Sequence, residues 1–511
     1  MASYILAHDL GTTGNKASLF NEKGQLVSSC YREYKTYYPG PRMIEQDPHD
    51  WLNAIKESTR IVLEKSNAKV SEIVAIGLST HQLGCIPMTA RGELLRKRVF
   101  IWSDSRSTKE VSSFFRTIPE YHWYSITGAG LRPENYPVFK IQWLRHNEPE
   151  IYEKADLFVG TKGFITYWLT GVFSTDHSEA SGTGFFDIHK RKWSDEILAA
   201  ARIDRDKLVH VYNSHEIVGK LTKSAAADLG LKEGIPVVAG GGDVSTTALG
   251  TGLYKEGRTY NYIGSSSWIS TVSYKPLLGK KERTYVFCHV VPNMYSSQVA
   301  TYAAGITHRW AKDNLFGLEG EILQSLGISA YEGYEKLISN IPAGSGKLIF
   351  LPGLNGGGTI FPNPAIRGSL IGLGLNHTKG HILRSVMEGI AFDMKMSLDL
   401  FESLGVSIPE VRLTGGMPKS AIFRQILADV YGRNVCLTEL SQEAASLGAA
   451  IIAGIGVGVF KDFSIVDRLN RVKEVLEPNV ENFKIYEQLY KAFRRSYEAL
   501  LPIFDDIASI R

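Results

Sequence analysis

The sequence predicts an α/β protein made of two similar halves that face each other across a central cleft. Three observations lead there. Short apolar runs of strand length alternate with segments of helical periodicity along the whole chain. At 511 residues the chain is too long for one ordinary core, so two large domains are the default. A strand–turn–strand layout near the start, 3–9 and 15–20 around Gly11-Thr12-Thr13-Gly14, recurs loosely about 250 residues later as 260–263, Gly264-Ser265-Ser266-Ser267 and 268–270.

The elements follow in order. After the first hairpin, 48–65 reads as a helix whose apolar face is Trp51, Ile55, Ile61 and Leu63. Strand-like runs follow at 73–78 and 99–102, and later at 237–239. A boundary near residue 248, just after Gly240-Gly241-Gly242-Asp243, divides the chain into nearly equal halves, 1–248 and 249–511, expected to pack against each other around a cleft. In the second half, 379–404 and 420–431 read as helices separated by a strand at 410–414. Residues 444–460 carry no charge but hold four glycines, and read as a buried helix running into a glycine loop rather than a membrane span. The chain ends in an amphipathic helical tail.

Composition narrows the function. Hydrophobic residues at 44% and charged residues at 22% are ordinary for a soluble globular protein. A formal charge of +4 with no basic run argues against nucleic acid or an anionic membrane as partner. Cys30, Cys85, Cys288 and Cys436 are widely spaced and read as reduced packing residues of a cytoplasmic protein, with no zinc or disulfide. The opening strand leaves no room for a signal peptide.

Two strand-to-aspartate junctions carry the chemistry. Val237-Val238-Ala239-Gly240-Gly241-Gly242-Asp243 ends an apolar run in three glycines and one acid, and glycines there let the backbone approach a ligand closely. Tyr4-Ile5-Leu6-Ala7-His8-Asp9 runs into Gly11, Thr12, Thr13 and Gly14, whose consecutive amides suit an anion, with Lys16 as added charge. A plain hairpin turn reads equally well there. One acid can hold a metal while the other takes a proton, and together they point to phosphoryl transfer. His81 and Gln82 follow a strand end, as do Trp102 and Asp104. Asp104 can accept from substrate hydroxyls and Trp102 can offer a face to a sugar. The plainer readings are a structural histidine and a surface Asp104–Arg106 ion pair. Gly415, Gly416 and Met417 lead from a strand to a helix, where a flat base can lie on the backbone and Ser420 begins the helix; an ordinary turn capped by Ser420 is the alternative. Gly344-Ser345-Gly346-Lys347 is not a Walker loop, because Ile341 stands where a glycine is required and a strand follows. Gly454-Ile455-Gly456-Val457-Gly458 follows a helix, the wrong context for dinucleotide binding.

Taken in order, six segments resemble the FGGY carbohydrate kinases: D-L-G-T-T-G at 9–14, W-S-D-S-R at 102–106, D-H-S-E-A-S-G-T at 176–183, G-G-G-D at 240–243, L-T-G-G at 413–416 and E-A-A-S-L-G-A-A at 443–450. The resemblance implies two duplicated ribonuclease H-like (actin-like ATPase) domains around a central cleft, with ATP and Mg²⁺ as cofactors and a homodimeric state. It implies Asp243 as general base and Asp9 as the Mg²⁺ residue. Gly11, Thr12, Thr13, Lys16, Gly264 and Ser265 would face phosphate, while Gly415, Gly416, Met417 and Ser420 would form the adenine side. His81, Gln82, Trp102 and Asp104 would contact sugar beside Asp243. Within the family, 176–195 and 364–368 are most similar to xylulokinases, implying D-xylulose as acceptor; glycerol or another polyol, another ketose and gluconate stay open. An actin-like ATPase acting on proteins and a non-catalytic sugar sensor are the readings from other classes. The first lacks an appendage here, and the retained Asp9 and Asp243 argue against the second.

Overall fold

The computed structural model describes residues 3–440 and 442–510. Two seven-stranded sheets organise it. The first holds β1 (Tyr4–Leu10), β2 (Gly14–Asn21), β3 (Leu26–Glu33), β4 (Ile73–Thr80), β5 (Ile217–Lys220) and β6 (Pro236–Val238) in the order β5-β6-β4-β1-β2-β3, and a two-residue strand, Gly241–Gly242, also pairs with β4. The second holds β7 (Thr259–Ile263), β8 (Ser267–Ser273), β9 (Tyr285–Cys288), β10 (Tyr295–Thr301), β11 (Glu410–Gly415), β12 (Asn434–Thr438) and β13 (Val472–Leu476) in the order β9-β10-β8-β7-β11-β12-β13. Each sheet repeats one plan. In the first, β3-β2-β1 are antiparallel, β4 and β6 follow parallel to β1, and antiparallel β5 closes the far side; in the second, β10-β8-β7 are antiparallel with β9 added outside β10, β11 and β12 follow parallel to β7, and antiparallel β13 closes the far side. The duplication expected from the two hairpins is therefore borne out.

The continuous apolar run of β1 reflects a sheet covered on both faces. Leu6 and Leu10 pack with Trp51 and Ile55 of α1 (Pro48–Ser66), whereas Ile5 and Ala7 pack on the opposite face. Asp47 caps α1 by accepting from the His49 N–H, Pro48 opens it, and Asn67 ends it in a left-handed conformation. Val62 is fully buried while Ile61 and Leu63 are only partly so, which corrects the expected face: the buried stripe runs Trp51, Ile55, Ser58, Thr59 and Val62 at helical spacing, with Ile61 and Leu63 at its margins. The strand expected over 99–102 is shorter, Val99–Phe100, because the chain then leaves the ladder as a turn. After β6, α2 (Asp243–Gly250) begins at the carboxylate itself and contains residue 248.

In the second half, α3 (Lys379–Ser403), α4 (Ala421–Tyr431) and the tail helix α6 (Val480–Ser509) share one core with Val411 and Leu413 of β11. The uncharged segment forms α5 (Ala444–Gly456), buried along almost its whole length. No helix among the described residues is long and apolar enough to cross a membrane. The four cysteines are buried and free.

Candidate active site

The carboxyl ends of the parallel strands meet at one edge of the first sheet. Asp9 of β1 pairs in register with Ser79 of β4, and Gly241 flanks Ser79 on its other side. Ser79 Oγ donates to Asp9 Oδ1 at 2.8 Å. Burial pushes the Asp9 carboxyl up to about 6; the Ser79 hydrogen bond and Lys16 pull it down, and Glu443 pushes it up. The loop that follows is tied in place. Gly11 N–H donates to Gly14 O at 3.0 Å, Gln46 Nε2 to Thr12 O at 2.7 Å, and Trp102 Nε1 to Thr12 Oγ1 at 2.9 Å. Thr13 Oγ1 is hydrogen-bonded to Tyr31 OH at 2.7 Å.

The second carboxylate arrives through a glycine turn packed too closely to admit a Cβ without a shift of its neighbours. Gly240 has φ +70°, and a Cβ there would stand 2.4 Å from Leu78 O; one on Gly242 would stand 2.3 Å from the Gln82 side chain. Asp243 then opens α2, with its Oδ1 accepting from Val244 N–H at 2.8 Å. Burial raises its carboxyl to about 7, the charge on Asp9 adds to the rise, and the Val244 N–H opposes it.

This turn is backed by 176–183. Ser178 Oγ donates to Asp176 Oδ2 at 2.6 Å and accepts from Gly242 N–H at 2.9 Å. Ser214 Oγ also donates to Asp176, at 2.7 Å. Fully buried Lys162 forms an ion pair with Asp176 and lies 3.7 Å from Glu179. A second buried lysine, Lys140, donates to Leu83 O at 2.8 Å and Ile101 O at 2.7 Å, joining the segments that lead to Gln82 and Trp102. Burial lowers its ammonium to about 7.

In the second half, three small-residue turns converge. Gly305 N–H donates to Gly264 O at 2.9 Å, Ala304 N–H to Ser265 O at 3.3 Å, and Gly416 N–H to Ile263 O at 3.0 Å. Gly415 has φ +95°, where a Cβ would stand 2.5 Å from Ile263 O. Met417 Cγ stands 3.5 Å from where a Cβ on Gly305 would be. A cleft of about 850 Å³ lies beside these turns; its second-half wall includes Ser266 and Ser267 with Tyr260, Tyr262 and Trp268, whereas Gly264, Ser265, Gly415, Gly416 and Met417 are not among its lining residues. Its first-half wall includes Asp9, Gly11, Thr12, Gln82, Trp102 and Asp243.

Four expected positions stand elsewhere or are otherwise engaged. His81 is 1% exposed and packs edge-on against Trp51, with ring centroids 5.4 Å apart, so it supports the wall from behind. Asp104 is fully buried; its oxygens accept from the Arg106 guanidinium and, at 2.7 Å, from Ile44 N–H, which leaves it structural. The ion pair weighed for it exists, but inside the protein rather than on the surface. Lys16 Nζ donates to Glu443 Oε1 at 3.2 Å and Gln442 O at 3.0 Å, joining the halves instead of standing free at the loop. Ser420 Oγ accepts from Phe423 N–H at 3.2 Å as the cap of α4. Arg132, Asn135, Tyr285 and Gln298 line the cleft without having been singled out. They lie on loops and strands of mixed composition that carry no motif.

The N-terminal domain model of the FGGY family of carbohydrate kinases matches residues 4–250, and the C-terminal domain model of the same family matches 259–457. The chain belongs to this family. It is 30% identical over 508 residues to the xylulose kinase of Staphylococcus epidermidis, covering 99% of each chain. It is 29% identical over 511 residues to the gluconokinase of Bacillus licheniformis, covering 100% of this chain and 98% of the other. The crystal structure of a ligand-bound xylulose kinase from Lactobacillus acidophilus superposes with a TM-score of 0.89 at 24% identity, covering 99% of this chain and 100% of that one, which establishes the fold. The expected two-domain α/β FGGY kinase fold, consistent with actin-like ATPase domains, is what the chain adopts, and its activity class is ATP-dependent sugar phosphotransfer.

Proposed function

We propose that this FGGY kinase transfers the γ-phosphoryl group of ATP to D-xylulose, giving D-xylulose 5-phosphate. The observation that carries the reading is the placement of Asp9 and Asp243 on one wall of a cleft whose far wall holds Ser266 and Ser267, next in the chain to the turn at Gly264 and Ser265. The full-length similarity to a xylulose kinase supports the acceptor.

Asp243 is the general base. With a carboxyl near 7, it is basic enough to take the proton of the acceptor hydroxyl as that oxygen attacks the γ-phosphorus. The new O–P bond forms as the bond to the β,γ-bridging oxygen breaks, and ADP leaves with the electron pair. Gly11, Thr12 and Thr13 face the transferring phosphate, while Gly264 and Ser265 with Gly415 to Met417 hold the nucleotide side. Trp102 and Gln82 position the acceptor.

Mg²⁺ fits the donor set. Two buried carboxylates stand on one wall, the charge on Asp9 raises the proton affinity of Asp243, and Glu443, which does the same to Asp9, has a buried Oε2 without a hydrogen-bond partner. Among the described residues, no three metal-binding side chains form a cage. One or two carboxylates completed by water and phosphate oxygens is the usual setting for this ion. Asp9 would hold it, and when bound it offsets phosphate charge.

A sugar acid is the second reading, favoured by Arg132, a cation that lines the same cleft. A coupled ADP-release assay over D-xylulose, glycerol, gluconate and an aldose tests both. The highest kcat/KM is expected with D-xylulose; a preference for gluconate would transfer the assignment to a sugar acid.

A further inference from the structure

The second-half wall of the cleft is largely aromatic, built from Trp268, Tyr285, Phe287 and Tyr302. Gln298 of β10 is the amide set among them. It is 6% exposed, and its Nε2 has no hydrogen-bond partner in the protein. The opposite wall holds the counterpart. Gln82 Nε2 donates to Ser178 O at 2.7 Å, which fixes the orientation of that amide and leaves its buried Oε1 without a donor. Leaving a buried polar group unpaired costs about 1–3 kcal/mol. Two such groups, a donor and an acceptor on facing walls of one cleft, call for a ligand that supplies both partners. A hydroxyl does so, because it donates and accepts. An ionised phosphate only accepts, so it cannot satisfy Gln82.

The position of Gln298 along β10 separates acceptor from nucleotide. It pairs with Ser270 of β8 and Tyr285 of β9, whereas the turn that follows Gly264 meets β10 at Thr301, opposite Ser267. Three residues of strand put Gln298 about 10 Å from that turn. On its own side, α2 packs against β10, and Val244, next to Asp243, lies against the cluster containing Tyr285 and Phe287.

We propose that Gln298 is a specificity-determining residue, which donates a hydrogen bond from the second half to an oxygen of the sugar acceptor while Gln82 accepts from a hydroxyl on the first. The inference rests on the reading of the cleft as a sugar-acceptor site. The acceptor is thus read from both halves at once.

The wild-type enzyme is first ranked over the acceptor panel, which tests the reading of the cleft on its own. Gln298→Met, which keeps the length and removes the amide, and Gln298→Ala are then assayed on the best acceptor, with ATP titrated separately and folding followed by near-ultraviolet circular dichroism. Acceptor kcat/KM is expected to fall about 10- to 100-fold, with the ATP KM unchanged and the ranking of acceptors flattened. Gln298→Asn, which withdraws the amide by one methylene, is expected to show the same selective loss and serves if the other two do not fold. A folded variant with wild-type acceptor kcat/KM, or an ATP KM that rises as much as the acceptor KM, overturns the assignment. A wild-type enzyme that phosphorylates no sugar, polyol or sugar acid overturns the reading of the cleft and this proposal with it.

Discussion

At Asp243 burial and the charge on Asp9 favour the protonated acid, while the Val244 N–H favours the carboxylate. The first two win, so the group titrates near neutrality. Below about 7 the proton occupies the base; above it the base is free. Acceptor kcat/KM is therefore expected to rise with pH through an apparent value near 7 and then level off, a value that belongs to the Asp9–Asp243 pair. A profile flat across that region would remove burial as the tuning device. Asp243→Asn should lower kcat by about 10²-fold or more with the fold intact, since the amide cannot accept the proton. Asp9→Ala should weaken Mg·ATP binding and spare acceptor binding, as read by calorimetric titration of each; equal losses would break that division. Both acids are legible in the sequence because each follows an apolar strand and sits beside glycines. His81 and Asp104 are not. Beyond a strand end, the sequence pattern no longer says which side faces the cleft, and the partners that bury them, Trp51 and Ile44, are distant in the chain.

At the scale of elements, the turn bearing Asp243 is only as rigid as what lies behind it. Burial pushes the Asp176 carboxyl up, but Lys162 and the serine hydroxyls outweigh burial and hold it below the usual carboxylate range. A depressed carboxyl contributes stability above its unfolded pKa and loses it as pH falls through the folded value. Lys162→Met leaves Asp176 and Glu179 without their counter-charge, and a loss of about 3–5 kcal/mol is expected, read from the denaturant midpoint. An unchanged midpoint would show that the serines alone satisfy Asp176. The two hairpins were legible because small-residue turns between apolar strands are a short-range signal. The function of 176–183 was not, because its partners Lys162, Ser214 and Gly242 meet it only in three dimensions.

For the whole molecule, the decisive element is α5. The C-terminal family model matches it, yet it packs on β1 and β4 of the first sheet and crosses α2. Small residues allow the approach: a Cβ on Gly448 would stand 2.0 Å from Thr246 O, and one on Gly250 would stand 1.7 Å from Ala444 O. Gly448→Ala should therefore push α5 away from the helix that begins at Asp243. We expect a stability loss of about 1–3 kcal/mol together with a lower kcat, measured by thermal unfolding and steady-state kinetics; retention of both would mean the crossing has slack. The sequence shows α5 as a buried helix but gives no sign of which sheet buries it. That crossing also bears on how the chain can be divided. A fragment comprising 1–248 would lack the segment covering Ile5, Ala7, Phe20, Ala75 and Val238, and would expose an oily flank to water. Produced alone it should precipitate, whereas co-production with 249–511 should rescue it by complementation, in the manner of a split reporter.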